Sequence, residues 1–181
     1  ARGKRVLLCD FDPQGNASSG LGVAPKAGRT VYDCIVDGVP AAECLVKTAY
    51  CTVLPSDIRL AAAELEISDV PRREQRLKET LSPIQEQFDY IFIDCPPSLG
   101  LLTVNALTAC SSIVVPMQCE YYALEGLSQL VASIRAVKRS LNPGLDIQGI
   151  ILTMFDGRTN LTIQVAEEVK KYFGRKVYKT V

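Results

Sequence analysis

The architecture of this chain follows from the stretch Arg5-Val-Leu-Leu-Cys-Asp-Phe-Asp-Pro-Gln-Gly-Asn16, where a short apolar run ends in two aspartates and a turn. Val6 to Cys9 has the length and the turn-residue ending of a buried strand. Asp10 and Asp12 follow at its carboxyl end, where open α/β sheets place their ligands, and an extended chain projects them to the same side. Close carboxylates repel each other unless a cation or a polarised water lies between them. The stretch predicts either a metal and water site beside a phosphate or a strand end closed by Asx turns.

A second apolar run, Tyr90-Ile-Phe-Ile-Asp94, predicts another buried strand with a carboxylate at its tip. Phosphoryl-transfer enzymes hold Mg²⁺ in this way, and one carboxylate acting through water is enough. The loop that follows is stiff at Pro96 and Pro97 and mobile near Gly100, which suits a segment that senses a γ-phosphate. A strand end with a proline-rich turn is the alternative interpretation. If the two strands are neighbours in a parallel sheet, the three aspartates surround one crevice, which favours Mg²⁺ with a nucleotide.

Strand and helix patterns alternate along the rest of the chain. This alternation predicts an α/β fold with a doubly wound, mostly parallel sheet and helices on both faces, in one domain over residues 1–181. Residues 17–23 are small and Gly-rich, which predicts a flexible or ligand-ordered segment. The predicted further strands are Cys51–Leu54, Ser112–Met117, Ile147–Met154 and one beginning at Lys176. The predicted helices are residues 30–37 with Thr30 as N-cap, Ala41–Val46, Ile58–Ile67, Pro71 to about Gln87, Leu101–Cys110, Tyr121–Leu141 and Leu161–Phe173. Within the helix from Pro71, we expect Pro83 either to start a new turn or to kink the helix.

Composition excludes several classes of site. The chain has 181 residues, is 48% hydrophobic and 22% charged, and carries no formal net charge. It therefore gives no global electrostatic argument for nucleic-acid or membrane binding. The absence of histidine excludes His-based triads and His-ligated zinc. The seven cysteines include no Cys-x-x-Cys pair, which favours small buried side chains in a reducing cytosol. No apolar run is long enough to span a bilayer.

The motif that usually cradles phosphates is missing from the printed sequence. Neither Gly-x-x-x-x-Gly-Lys-Ser/Thr nor a variant of it is present, and Gly15-Asn-Ala-Ser-Ser-Gly20 has no lysine after it. Such a cradle lies on the first strand–helix turn of its fold, so we expect it upstream of Ala1.

Five segments, in order along nearly the whole chain, resemble the ParA/Soj family of partitioning ATPases with a deviant Walker A loop. They are Arg5–Gly22, Leu54–Leu65, Tyr90–Gly100, Val115–Ser128 and Leu152–Thr159. The resemblance implies that Asp12 orients the water that attacks the γ-phosphate and that Asp10 supports the water shell of Mg²⁺. It also implies that Asp94 is the Walker B acid, holding Mg²⁺ through water, and that Pro96, Pro97 and Gly100 belong to switch II.

The resemblance further implies ATP and Mg²⁺ as cofactors and a homodimer that encloses ATP. That dimer would bind DNA without sequence preference and respond to a ParB-like partner, in the cytoplasm on the nucleoid and without a membrane partner. The expected phosphate loop and C-terminal elements lie outside the chain, so we expect the chain alone to be inactive. Two alternatives stay open: a nucleotide-free interaction module, and a MinD-like cell-division ATPase, which the Asp-Pro-Gln-Gly-Asn run disfavours.

Other residues favour plainer interpretations. Arg135, Lys138 and Arg139 predict a solvated helix face more than a contact with DNA phosphates. The sequence around Cys95 and Cys119 resembles that of the partitioning ATPases, which disfavours the iron–sulfur cluster of a related ATPase family. Tyr121 and Tyr122 suit packing or an interface. Arg158 suits a contact with nucleotide or partner, or simply an exposed loop.

Overall fold

A computed structural model of the chain describes residues 3–25, 28–120 and 122–179. The chain divides into two compact units, Ala1–Ala109 and Cys110–Val181. The single domain expected over residues 1–181 stays a prediction.

The first unit contains a four-stranded, mostly parallel sheet in the order β2-β3-β1-β4. β1 (Val6–Asp10) pairs in parallel with both β3 (Thr52–Leu54) and β4 (Tyr90–Asp94), whereas β2 (Val46–Lys47) is antiparallel to β3. β1, β3 and β4 therefore lie where the sequence predicts strands, with β1 extended by one residue to Asp10. β2 was not predicted: the helix expected over Ala41–Val46 ends at Cys44, and Val46 starts this short strand. The predicted α/β class with a mostly parallel sheet is confirmed.

Helices connect β1 to β2 and β3 to β4 in the first unit, and one more follows β4. They are α1 (Asn16–Gly20), α2 (Val31–Ile35), α3 (Ala41–Cys44), α4 (Leu60–Glu66), α5 (Arg76–Leu81) and α6 (Leu101–Ala109). The long helix predicted from Pro71 is wrong: 3₁₀ turns at Arg73–Gln75 and Ser82–Gln87 flank α5. Arg72 adopts a left-handed conformation with φ 58°, and Pro83 lies at the start of the second turn, so one regular helix cannot continue.

The start of α2 is tied to the start of α4 by hydrogen bonds. Thr30 caps α2 in a capping box, in which Asp33 Oδ2 accepts a hydrogen bond from the Thr30 amide at 2.7 Å. Arg59 donates from Nη1 and Nη2 to the two carboxylate oxygens of Asp33, each at 3.0 Å, and it also contacts Asp57. The Arg59 guanidinium stacks 4.8 Å from the centre of the Tyr32 ring. Burial opposes ionisation of Asp33, but hydrogen bonds from Arg59 and the Thr30 amide outweigh it and lower the pKa of this carboxyl.

The core of the first unit lies between this sheet and its helices. Leu7, Cys9 and Phe11 are fully buried, and α4 contributes Leu60 and Ala63, also fully buried. The sulfurs of Cys34 on α2 and Cys44 on α3 lie 3.5 Å apart, as packed thiols. Most cysteines thus serve as small core residues, as the sequence predicts.

β4 differs from its predicted burial. Tyr90 and Phe92 are 54% and 56% exposed, and their rings stack 6.4 Å apart. β4 is the end strand of the four-stranded sheet of this unit. An apolar run therefore indicates a strand correctly here but does not indicate full burial.

The second unit contains a two-stranded parallel sheet and two amphipathic helices. β5 (Ser112–Gln118) pairs with β6 (Asp146–Thr153), and α7 (Ala123–Ser140) and α8 (Asn160–Phe173) pack around a core that includes Ile150 and Val169. The strand predicted from Lys176 is reduced to a single bridge between Val177 and Ile150. Tyr121, Thr180 and Val181, which the predictions also included, lie outside the described residues.

Candidate functional site

The carboxyl ends of β1 and β4 bring two of the predicted site residues side by side. Asp10 and Asp94 are register partners in the parallel ladder, and the Phe11 amide donates to the Asp94 carbonyl at 2.8 Å. Asp12 follows Phe11 at the same end of the sheet. The three aspartates that the sequence singles out therefore belong to one edge.

Asp10 is fully buried, and both of its carboxylate oxygens accept hydrogen bonds. Oδ2 accepts from the Ser18 amide at 2.8 Å and from Ser18 Oγ at 2.6 Å, while Oδ1 accepts from the Asp12 amide at 3.3 Å. This carboxylate therefore fixes both α1 and the turn that carries Asp12. Because α1 follows a left-handed Gly15 and is held by Asp10, residues 16–20 are helical. The sequence predicts a flexible or ligand-ordered segment over residues 17–23 and does not predict this helix.

Asp12 lies in a tight turn and not in an extended strand. Its Oδ1 accepts from the Gln14 amide at 3.0 Å, and its carbonyl accepts from the Gly15 amide at 3.0 Å. The Asx turn that the sequence allowed is thus present. This turn leaves the carboxylate half-buried at the edge of the sheet.

Asp94 has a raised pKa, which reflects its burial and the other carboxylates of the site. Although part of its side chain is open to solvent, partial burial and then the charges of Asp10 and Asp12 raise the pKa of Asp94 above the ordinary carboxyl value. A carboxylate whose ionisation is opposed by two others gains most from a bound cation. Among the described residues no three side chains form a ready metal cage, so a cation here would be held largely through water.

The loop that contains Pro96, Pro97 and Gly100 joins Asp94 to α6. Glu64 of α4 reaches the end of this loop, where its Oε1 accepts a hydrogen bond from the Leu102 amide at 2.9 Å. A Cβ at Gly100 would overlap with that carboxylate. The sequence reasoning missed Glu64, because no local pattern predicts a contact over 38 positions.

Ser18 and Ser56 were also missed. The Ser56 amide donates to Ser18 Oγ at 3.2 Å, so the loop after β3 is linked through Ser18 to Asp10. The hydroxyl of Ser56 is buried and has no hydrogen-bond partner among the residues that the structure describes. The Ser56 side chain therefore leaves hydrogen-bonding capacity unused close to Asp10.

The remaining candidates lie mostly at the surface. Arg135, Lys138 and Arg139 are exposed on α7, which suits both interpretations given for them. Arg158 is engaged with Asp156 of its own loop at 2.8 Å, and Tyr122 is 77% exposed. Cys95 is exposed, whereas Cys119 is buried. No helix of the described residues has the length and hydrophobicity needed to cross a bilayer.

Comparisons with known proteins give matches that cover most or nearly all of the chain. A family model described as an AAA domain matches residues 1–147. The sporulation initiation inhibitor protein Soj of Bacillus subtilis is 57% identical over 99% of this chain and 72% of its own length. The chromosome partitioning protein ParA of Myxococcus xanthus is 50% identical over 98% of this chain, which spans only 64% of that relative.

Solved structures share the fold. A cobyrinic acid a,c-diamide synthase from Mycobacterium smegmatis, with a bound ATP analog and magnesium, superposes with a TM-score of 0.88 at 39% identity. The alignment covers 96% of this chain and 72% of that one. A plasmid partition protein from Borrelia burgdorferi has a TM-score of 0.85 at 24% identity, covering 99% and 77%, and shows likeness of fold alone.

Proposed function

Because this chain belongs to the Soj/ParA family of chromosome partitioning ATPases, with a P-loop NTPase-like fold, we propose that its aspartate edge hydrolyses ATP with Mg²⁺ in the full-length protein. One observation carries the proposal: Asp10 and Asp94 are register partners, and partial burial, followed by the charges of Asp10 and Asp12, raises the pKa of Asp94. Such convergence of carboxylates at the carboxyl ends of parallel strands suits a hydrated cation beside a nucleotide phosphate.

Each aspartate has a distinct proposed role. Asp94 would hold a water of the Mg²⁺ shell, since its carboxylate is the most solvent-accessible of the three. Asp12 would orient the attacking water, because its turn holds the carboxylate half-buried at the same edge. Asp10 would add charge beside the cation and fix the Asp12 backbone, since its own oxygens are already hydrogen-bonded. Bound Mg²⁺ would neutralise charge that develops on the phosphate.

The loop Pro96–Gly100 is proposed to respond to the γ-phosphate, because it starts directly after Asp94. Pro96, Pro97 and Gly100 would thus be nucleotide-sensing residues. The family relationship supports a wider proposal: an ATP-bound homodimer that binds DNA non-specifically on the nucleoid and responds to a ParB-like partner. The exposed basic residues of α7 are candidates for a phosphate contact, but their pattern favours a solvated helix face.

The test uses the full-length protein, because the printed sequence contains no Walker A lysine motif. Asp12→Ala is expected to lower kcat at least about 100-fold, the usual contribution of a positioned proton acceptor, while ATP-dependent dimerisation persists. Asp37→Ala, which removes an exposed carboxylate at the end of α2, is the matched control. Unchanged turnover in Asp12→Ala would overturn the role of Asp12.

The same relationship separates this proposal from its alternatives. The identity to Soj is 57%, against 39% to the cobyrinic acid synthase, which favours partitioning over amidation. ATP turnover by the full-length protein would also exclude the nucleotide-free interaction module. Membrane-dependent turnover would instead favour a MinD-like role.

A further inference from the structure

Gly100 and Glu64 are in contact at the N-terminus of α6, where the preceding residue offers no side-chain cap. α6 begins at Leu101, and the residue before it is a glycine, which has no side-chain oxygen to accept a hydrogen bond from the first turn. The Leu102 amide instead donates to Oε1 of Glu64, a residue of a different helix. A negative group at a helix N-terminus also interacts favourably with the helix dipole.

The absence of a side chain at Gly100 is what admits Glu64. A Cβ built there would overlap with Oε1 and would lie only 3.0 Å from Oε2. Gly100 has no positive φ, so its backbone conformation does not require glycine. The nearest atoms to an added Cβ are therefore those of the Glu64 carboxyl group.

Glu64 is also carried by a firmly anchored helix. Leu60 and Ala63, which flank it on α4, are fully buried in the core of the first unit. Glu64 thus connects that core to the far end of the loop that begins at Asp94. The near end of the loop is fixed by the ladder between β4 and β1.

We propose that Glu64 is a positioning residue of the nucleotide site, which holds the end of the loop Pro96–Gly100 and the first turn of α6 against α4. This inference rests on the proposed ATPase function. With both ends fixed, the loop keeps Asp94 and its own backbone aligned for hydrolysis. Loss of Glu64 releases one end without touching any group that binds the nucleotide directly.

The first measurement is hydrogen–deuterium exchange in the nucleotide-free, full-length protein. Glu64→Ala is expected to accelerate exchange of the amides in segment 101–104 about tenfold, because Leu102 loses its acceptor. Glu64→Gln retains an acceptor oxygen and is expected to stay within about threefold of the parent. Glu66→Ala is the matched control, since Glu66 lies on the same helix but bonds the Tyr32 hydroxyl. Equal exchange in the Glu64→Ala and Glu66→Ala variants would overturn the proposal.

A double-variant comparison isolates the contact. Gly100→Ala displaces the Glu64 carboxylate, so it is expected to accelerate the same amides as Glu64→Ala does. The double variant is expected to match either single variant, because the contact can be lost only once. Additive effects would show that the two residues act separately and would overturn the proposal.

Steady-state kinetics test whether the Glu64 contact supports ATP hydrolysis. In Glu64→Ala, kcat for ATP is expected to fall about tenfold, the rate equivalent of roughly 1.4 kcal/mol, with KM changed less than about twofold. Glu64→Gln is expected to recover most of the rate. A rise in KM with unchanged kcat, or a kcat equal to that of Glu66→Ala, would overturn the positioning role. If the parent protein hydrolyses no ATP, the proposed function fails, while the exchange experiment still tests the contact.

Discussion

Asp10, Asp12 and Asp94 occupy one edge, but the fold gives each carboxylate a different environment. Asp10 is buried and hydrogen-bonded to Ser18, Asp12 closes a turn, and Asp94 faces solvent with a raised pKa. The sequence could place all three at strand ends, because apolar runs and turn residues mark those ends. It could not show that Asp10 is internally satisfied, because that depends on the position of Ser18 in a short helix that no periodicity predicts.

Asp94 provides a pH-dependent test of this environment. A carboxyl with a raised folded pKa contributes stability below its unfolded pKa of about 3.9 and loses that contribution as the pH rises through the folded value. At pH 7 without Mg²⁺, Asp94→Asn is therefore expected to increase the free energy of unfolding slightly, by about 0.5 kcal/mol or less after solvent screening. The increase is expected to disappear below about pH 4.

Asp89→Asn is the control of opposite sign. Hydrogen bonds from the Arg5 side chain and amide lower the pKa of Asp89, so its stabilising effect is present at neutral pH and lost in acid. Urea unfolding of the two variants between pH 3 and pH 7 makes the comparison. A loss of stability at pH 7 in Asp94→Asn would contradict the carboxylate cluster.

Asp33 allows a second test at the scale of single residues. Its lowered pKa means that its contribution to stability is present above pH 3.8 and lost as the pH falls through the folded value. Asp33→Asn is expected to lower the free energy of unfolding at pH 7 by about 1 kcal/mol, because the capping box and the paired bonds to Arg59 weaken. Chemical unfolding at several pH values should show the deficit shrinking in acid. Asp37→Asn, the same change at an exposed site one turn further along, is expected to have little effect.

At the scale of elements, the predictions succeed where periodicity is local. β1, β4, α7 and α8 lie within a few residues of their predicted bounds, because each carries an unbroken apolar pattern. The region from Pro71 to Gln87 breaks into short pieces, since Arg72 turns left-handed and Pro83 interrupts the hydrogen bonding. The exposure of β4 could not be predicted either, because it depends on which neighbours cover a strand.

Gly15 starts α1 from a left-handed conformation and lies against the loop after β3. Its φ is 62°, and an added Cβ would lie 3.3 Å from the Ser56 carbonyl oxygen. Gly15→Ala is expected to lower the free energy of unfolding by about 1–2 kcal/mol through backbone strain and that close approach.

Gly22→Ala is the matched control for Gly15→Ala. Gly22 has nearly the same φ, 63°, but nothing lies within 4 Å of an added Cβ. Thermal unfolding of both variants separates the backbone strain from the close approach to Ser56, because Gly22→Ala introduces the backbone strain alone. Equal losses would show that the approach to Ser56 contributes nothing.

At the scale of the whole molecule, the absence of net charge combines with the exposed face of β4. The formal net charge is zero and the pI is about 6.5, so no long-range repulsion separates copies of the chain at neutral pH. β4 is an end strand with two exposed aromatic rings, the kind of edge that pairs with another chain. The 181-residue chain is therefore expected to self-associate near pH 6.5.

Phe92→Lys is expected to suppress this self-association severalfold, because a lysine on an edge strand hinders pairing. Tyr50→Lys adds the same charge at an aromatic residue that is 79% exposed but lies outside any strand, so it controls for net charge. Sedimentation velocity at a series of concentrations measures both variants. Equal suppression by the two would assign the effect to charge and not to the β4 edge.

The differing exposure of the native cysteines allows a fluorophore to be attached selectively at one of them. Burial raises the pKa of Cys9, Cys34, Cys44, Cys110 and Cys119, so these thiols stay protonated at neutral pH and react slowly with electrophiles. Cys51 is half-buried, whereas Cys95 is exposed between Asp94 and Pro96. A maleimide fluorophore would therefore attach preferentially at Cys95, the residue directly before the proposed nucleotide-sensing loop. Its emission could follow the loop in real time without any engineered cysteine.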